Sequence, residues 1–90
     1  MEFEWSLEKA KVNSNKHGID FTEAMTVFND PQALTFHDPD HSNEEDRFLV
    51  FGFSNRNRLL TVAYTYRVNN IRLISARRST AQEKEIYGEL

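Results

Sequence analysis

Between Arg47 and Arg78 the chain consists of three stretches of β-forming residues separated by two short asparagine-containing breaks. This pattern limits the possible folds more than any other feature. Residues 47–54 are apolar and aromatic, and residues 58–67 and 71–77 are rich in Val, Ile, Leu, Thr and Tyr. Asn55-Arg56-Asn57 reads as a hairpin turn. Val68-Asn69-Asn70 reads as a second turn, because asparagine tolerates positive φ. Strands joined by turns this short pair antiparallel. Residues 33–37 supply a shorter strand ahead of them, so a four-stranded antiparallel meander is expected.

Helical signals flank the meander. Ser6 is placed to cap a helix over residues 7–16, and Gly18 to end it in the left-handed conformation. Ala10, Asn13 and His17 fall on one stripe of that helix, with His17 at its C-terminal end. Asp20-x-x-Glu23 resembles a capping box for a second, short helix, with Ile19 and Ala24 spaced as a hydrophobic staple. Phe21, Ala24, Met25 and Phe28 give it one buried stripe, and Asn29-Asp30-Pro31 stops it. After the meander, Ser79 with Gln82 or Thr80 with Glu83 caps a last helix running towards Leu90. The expected fold class is α+β: two N-terminal helices, a four-stranded antiparallel sheet and a C-terminal helix, with the helices on one face.

Residues 1–90 read as a single domain, since no repeat, linker or low-complexity stretch divides them. There is no cysteine to staple so small a chain. The core must come from side-chain area, which seven Phe, three Tyr and Trp5 provide. The start, Met1-Glu2-Phe3-Glu4-Trp5, has neither the basic nor the apolar part of a secretion signal, and no apolar run is long enough for a membrane span. The expected compartment is the cytoplasm, with no membrane partner.

Charge is strongly segregated. Residues 1–46 carry eleven acids against three lysines, and residues 47–78 carry seven arginines and no acid. Arginine offers a planar fork that fits phosphate and stacks on bases, so the arginine-rich segment points to a polyanion. The acidic half suits a basic partner. The competing reading pairs these arginines with acids of the N-terminal half, and for Arg56 and Arg58, beside a turn, it is the preferred one.

Strand alternation sets Thr61, Ala63, Thr65 and Arg67 on one face, and Leu60, Val62, Tyr64 and Tyr66 on the core face, with Tyr66 leaning out at the strand end. In the last strand Ser75 and Arg77 share a face, and Ala76 and Arg78 share the other. Both faces are apolar earlier in that strand, so alternation alone leaves open which arginine meets a substrate. The polarity of Ser75 favours Arg77. His37-Asp38-Pro39-Asp40-His41 contains metal-ligand types, but Pro39 prevents the helix that would set the two histidines side by side, and a solvated acidic loop over residues 38–46 is expected instead of a metal site.

Several blocks together resemble a known family. They are Phe3-x-Trp5, Lys9-Ala10-x-x-Asn13-x-x-Lys16-His17-Gly18-Ile19, and Phe21-x-x-Ala24-x-x-Val27-Phe28-x-Asp30-Pro31. They continue with Asp46-Arg47, Gly52, Arg58-Leu59-Leu60, Tyr64-x-x-Arg67, and Ile74-Ser75-Ala76-Arg77-Arg78 ahead of Glu83 and Tyr87. In order and spacing they resemble the BrnT-type toxins over nearly the whole chain. The resemblance implies a RelE-like fold and a ribonuclease toxin of a type II toxin–antitoxin pair. It also implies a BrnA-like antitoxin with a ribbon-helix-helix type domain, which holds the toxin inactive and with it represses the operon. Operator DNA would be met only through the antitoxin, and a two-plus-two complex follows if the antitoxin dimerises. Tyr66 stands where that pattern has a glutamate before Arg67, and Asp46 where it has a glutamate before Arg47.

RNA can be cut without metal or other cofactor when a base activates the 2′-hydroxyl, the phosphate charge is stabilised and an acid protonates the leaving oxygen. The catalytic candidates are His17, Arg67, Arg77, Arg78 and Glu83, and the RNA-binding candidates are Lys16, Arg47, Ser75 and Tyr87. Arg67, Arg77 and Arg78 would hold the phosphate while His17, whose side-chain type titrates near neutrality, moves the proton. Glu83 and Tyr87 would transfer a proton or orient Arg77. The competing role for His17 is capping the helix carbonyls. The competing function is a non-catalytic RNA-binding module, or a degenerate toxin acting as corepressor with its antitoxin.

Overall fold

A computed structural model describes residues 2–41 and 43–88. Its elements are β1 (Phe3–Glu4), α1 (Leu7–His17), α2 (Phe21–Ala24) continued by a 3₁₀ turn (Met25–Asn29), β2 (Leu34–His37), a 3₁₀ turn (Pro39–His41), β3 (Arg47–Phe53), β4 (Leu59–Arg67), β5 (Asn70–Arg78) and α3 (Ala81–Tyr87). The expected run of the last helix towards Leu90 enters residues 89 and 90, which lie outside the described residues.

The four expected antiparallel strands form, as β2 to β5, but the sheet has five strands and is mixed, in the order β1-β5-β4-β3-β2. β1 runs parallel to β5, with Phe3 opposite Ile71 and Glu4 opposite Arg72. A two-residue strand has no periodicity to read. Side-chain contacts support it: Phe3 packs on Phe28 with ring centroids 5.1 Å apart, and Glu4 pairs with Arg72 at 2.8 Å.

Ser6 caps α1 by accepting from the Lys9 N–H, and Gly18 ends it at φ 69° with its N–H on the Ser14 carbonyl. Asn13, a polar residue on the buried stripe, works as a strand substitute. Its side-chain amide donates to the Ala76 carbonyl (2.9 Å) and accepts from the Ala76 N–H (3.0 Å), so it closes the β5 edge beyond the end of β1. A third bond, to the Ile19 carbonyl, ties the following loop to the same point.

The capping box expected at Asp20 does not form. The Asp20 carboxylate accepts from the Ser14 hydroxyl and makes no cap bond, and Glu23 is turned inwards, 4% exposed, onto Arg58. Of the expected stripe, Phe21 and Ala24 are buried, together with Ile19, against Val50, Leu60, Val62, Tyr64 and Leu73, and Met25 and Phe28 are only partly buried. Val27, outside that stripe, is buried instead, because the helix tightens to a 3₁₀ turn from Met25 and the buried face shifts. Only one face of the sheet is covered this way. α3 packs on the other face, against the expectation that all helices share one. Leu60 and Val62 point into the core, while Thr61 between them bonds Glu83 of α3 at 2.8 Å. The Thr80–Glu83 capping box starts α3 immediately after β5 and turns it back over this second face.

Both turns form. Positive φ falls on Asn57 (59°) in the first, but in the second it falls on the exposed, β-branched Val68 (56°) and not on an asparagine. Gly52 is the point of closest approach between sheet and helical layer: a Cβ there would lie 2.9 Å from a Val27 methyl and 3.1 Å from the Ala33 Cβ. Gly52→Ala is therefore expected to destabilise the fold by about 1–3 kcal/mol through overpacking. Thermal unfolding would read this as a fall of roughly 4–8 °C per kcal/mol in a domain of this size. An unchanged melting temperature would contradict the close packing.

Candidate active site

The second sheet face is covered at one end by α3 and at the other by the 38–46 loop, whose Asp46 carbonyl accepts from the buried Thr65 hydroxyl. Between them lies a groove of about 330 Å³ with Leu49, Ala63, Ile74 and Ser75 along it and Asp38, His41, Arg47 and Arg77 as its polar rim. A second depression, of about 400 Å³, runs between α1 and β5 and includes Lys9, Lys16, His17, Ile74 and Ser75. The two depressions meet at Ile74 and Ser75, on the β5 edge.

A bulge makes this meeting possible. Tyr64 of β4 faces Leu73 while Ala63 faces Ser75, so Ile74 has no partner in the ladder. The extra residue resets alternation in β5: Leu73 points into the core before it and Ala76 after it, leaving Ser75 and Arg77 on the groove side. Bulges re-aim side chains in this way, and the apolar residues on both faces early in the strand are its sequence trace.

Arg77 is held in a fixed pose. Its Nη1 and Nη2 donate to the two Glu83 carboxylate oxygens at 2.7 and 2.9 Å, and Nη1 also reaches the Arg78 carbonyl. Glu83 in turn accepts from the Thr80 N–H and the Thr61 hydroxyl, and Thr61 is bonded to Ser79. Burial alone would raise the Glu83 carboxyl. The bonds from Arg77, Thr80 and Thr61 outweigh it and lower the pKa from 4.5 to about 2. The same bond from Glu83, against the opposing effect of burial, raises the Arg77 pKa. An end-on carboxylate uses the inner N–H groups of both Nη atoms, so the side-on pair, Nε–H and the outer Nη2–H, stays available as a parallel fork.

His17 is half-buried, and its ring has no hydrogen-bond partner among the described residues. The last turn of α1 is closed by the Gly18 N–H, so the imidazole is not used as a cap. Lys16 beside it is exposed.

Other candidates lie elsewhere. Arg67 pairs with Glu45 at the far end of β4, whereas Arg77 sits opposite Thr61. Six residues of strand separate those positions, roughly 20 Å at about 3.3 Å per residue, so one phosphate cannot bridge both. Arg78, opposite Leu60, points to the other sheet face from Arg77 and has no carboxylate partner among the described residues. The Tyr87 hydroxyl donates to Asp30 (2.6 Å) and its ring packs edge-on against Phe53, which makes it a strut for α3. Asp46 bonds His37, and Tyr66 is half-exposed at the sheet end.

Much of the segregated charge is neutralised within the fold: Arg56 and Arg58 pair with Glu23, Arg67 with Glu45, and Arg72 with Glu4. For Arg56 and Arg58 the preferred reading, pairing with an acid of the N-terminal half, is met at Glu23, with Arg58 only 20% exposed. His37 and His41 bond Asp46 and Asp38, and no group of three metal-ligand side chains converges among the described residues. No helix among them is long and apolar enough to cross a membrane. Asp38 and His41, weighed from the sequence only as metal ligands, and Thr61 and Ser79, read only as a strand and a cap residue, also line or support the groove. Nothing local in the acidic loop points Asp38 and His41 at the groove, and Thr61 and Ser79 are ordinary strand and turn residues until the register is known.

The fold is similar to the crystal structure of the Brucella abortus ribonuclease toxin BrnT, with a TM-score of 0.67 over 89% of this chain and 97% of that one, at 23% sequence identity. No curated protein matches the chain. The family model described as "Ribonuclease toxin, BrnT, of type II toxin-antitoxin system" matches residues 5–83, which takes in both depressions and the Arg77–Glu83 pair. The chain belongs to the BrnT family of ribonuclease toxins of type II toxin–antitoxin systems.

Proposed function

We propose that this protein is an endoribonuclease that cuts RNA by attack of the 2′-hydroxyl on the adjacent phosphate, without a metal ion, and that a BrnA-like ribbon-helix-helix antitoxin neutralises it. The observation that carries the reading is the fixed Arg77 fork in a groove that shares Ile74 and Ser75 with the depression holding His17, whose ring nitrogens are unengaged among the described residues. A phosphate on the fork would have its growing negative charge stabilised by donors already oriented, and such preorganised stabilisation usually lowers the barrier more than any other single effect. Arg47 on the same rim adds a second cation. His17 takes the 2′-hydroxyl proton, the 2′-oxygen bonds to phosphorus as the P–O5′ bond breaks, and the leaving 5′-oxygen takes its proton from solvent water. The products are a 2′,3′-cyclic phosphate and a 5′-hydroxyl.

In this reading Ser75 and Lys16 contact the RNA where the two depressions join. Glu83 acts through Arg77 as a positioning residue: a carboxylate with a pKa of about 2 and four protein donors is a poor proton carrier at neutral pH. Tyr87, committed to Asp30, is given no role with RNA. Arg67 and Arg78 are assigned to flanking phosphates at most, and the three-arginine clamp on one phosphate is replaced by Arg77 with Arg47. The noncatalytic alternative gains nothing specific, since binding alone needs no unengaged imidazole in a depression adjoining a fixed guanidinium.

The test is cleavage of a short RNA in excess EDTA. The parent protein is expected to leave cyclic-phosphate ends, and His17→Ala to lose about 10²–10⁴-fold in rate. Strict dependence on added metal, or a His17→Ala variant as fast as the parent, would overturn the mechanism.

A further inference from the structure

The two edges of the sheet are treated differently. On the β1/β5 side, Asn13 closes the backbone of Ala76, and β1 covers the start of the strand. On the other side β2 ends the sheet with one neighbour, β3, and three of its four residues are exposed. The Asp38 N–H bonds the Arg47 carbonyl, and groups facing the partner strand recur at every second residue. Leu34 and Phe36 therefore direct their backbones to β3, and Thr35 directs its N–H and carbonyl outwards, without a backbone partner among the described residues. β2 carries no lysine, proline or bulge to discourage pairing, and Phe36 leaves 42% of its surface open beside it.

The segment that continues β2 is charged in one sense only. Residues 38–46 hold five acids and no lysine or arginine. A second copy adding itself at this edge would bring up a segment of the same sign, since residues 17–46 hold eight acids and no lysine or arginine, so self-pairing is opposed. A basic chain is favoured.

We propose that β2 is the docking edge for a basic, extended segment of the antitoxin, which adds to the sheet as a sixth strand; this rests on the toxin–antitoxin reading above. Main-chain bonds at Thr35 supply attachment, and the acids of the 38–46 loop, chiefly the exposed Asp40 and Glu44, select the basic segment. Asp38 and His41, which follow β2, stand on the rim of the groove that holds Arg47 and Arg77. A segment running on past His37 is led across that groove, so binding at the edge and obstruction of the RNA site are one event.

The test uses the full chain co-expressed with a BrnA-like antitoxin. Thr35→Pro removes the outward N–H at a position where an edge strand tolerates proline, and is expected to weaken antitoxin binding by about tenfold or more in calorimetry. The double variant Asp40→Lys, Glu44→Lys is expected to weaken it comparably at low salt. Both should cut RNA like the parent when the antitoxin is absent. In the unaltered complex, hydrogen exchange at the Thr35 amide should slow on antitoxin binding, a measurement that does not depend on any variant folding. Parent-like affinity in both variants, or no slowing at Thr35, would overturn the proposal; so would slowing at Thr35 in the free chain through self-association. Failure of the free parent chain to cut RNA would count against the proposed activity and leave the edge result standing by itself.

Discussion

Replacing Arg77 by lysine is expected to lower single-turnover RNA cleavage by about 10²–10³-fold while leaving the protein folded. The magnitude follows from losing an oriented donor pair at the position where charge builds up, about 2.7–4 kcal/mol in comparable anion-stabilising sites. Lysine keeps the positive charge beside Glu83, so the carboxylate remains compensated and α3 keeps its Thr80 cap. What lysine cannot do is engage Glu83 with two donors and still present two parallel donors to a phosphate. Arg67→Ala, removing a cation roughly 20 Å along the sheet, is expected to change the rate by less than about threefold. The comparison separates a local fork from a general basic field. If Arg77→Lys stays within threefold of the parent, or if Arg67→Ala matches its loss, the fixed fork is not the catalytic element.

This site was only half legible in the sequence, for a specific physical reason. His17, Ser75 and Arg77 are identifiable as residue types near helix and strand ends. The relation among them depends on the bulge at Ile74, and a one-residue insertion in a strand moves every later side chain to the opposite face. Alternation in β5 was ambiguous because the strand obeys two alternations in succession. Ordinary alternation already puts Arg77 and Arg78 on different faces; the bulge decides which of the two faces the groove. Arg67 was grouped with them because all three match the family blocks, and matched blocks carry no distance.

The element boundaries were more accessible, since caps and turns are local. Ser6, Gly18 and the Thr80–Glu83 box are each decided within about four residues. β1 was not accessible: two residues carry no period, and its parallel pairing with β5 spans almost seventy residues of chain. Nor was the fate of Glu23. Read locally, it completes a capping box with Asp20. In the folded chain its carboxylate is more strongly engaged by Arg58, more than thirty residues away.

That long-range choice sets the second large expectation: Glu23→Leu should cost on the order of 3 kcal/mol of stability at neutral pH. Glu23 accepts from the Arg58 Nε at 2.9 Å, from its Nη2, and from the Ser54 hydroxyl at 2.7 Å. Ser54 in turn accepts from backbone N–H groups of the β3–β4 turn, so one carboxylate fixes that hairpin to α2. Breaking a buried pair by removing one partner costs about 3–5 kcal/mol. The low end applies because Arg58 is 20% exposed and can turn to water. In a domain whose total stability is of order 5–15 kcal/mol, that is a large share, and urea titration resolves it easily. The pH dependence has a definite sign. Hydrogen bonding from Arg58, helped by Ser54 and opposed by burial, lowers the Glu23 pKa below 4.5. The contribution is therefore complete above pH 4.5 and is lost as pH falls through the lowered folded value. Glu83 loses its own contribution in the same direction, between pH 4.5 and about 2, in parent and variant alike. The gap in stability between parent and Glu23→Leu should thus narrow on acidification below pH 4.5 and stay constant from there to neutrality. A gap that held its neutral value down to pH 2 would mean that ionised Glu23 is not what holds the hairpin.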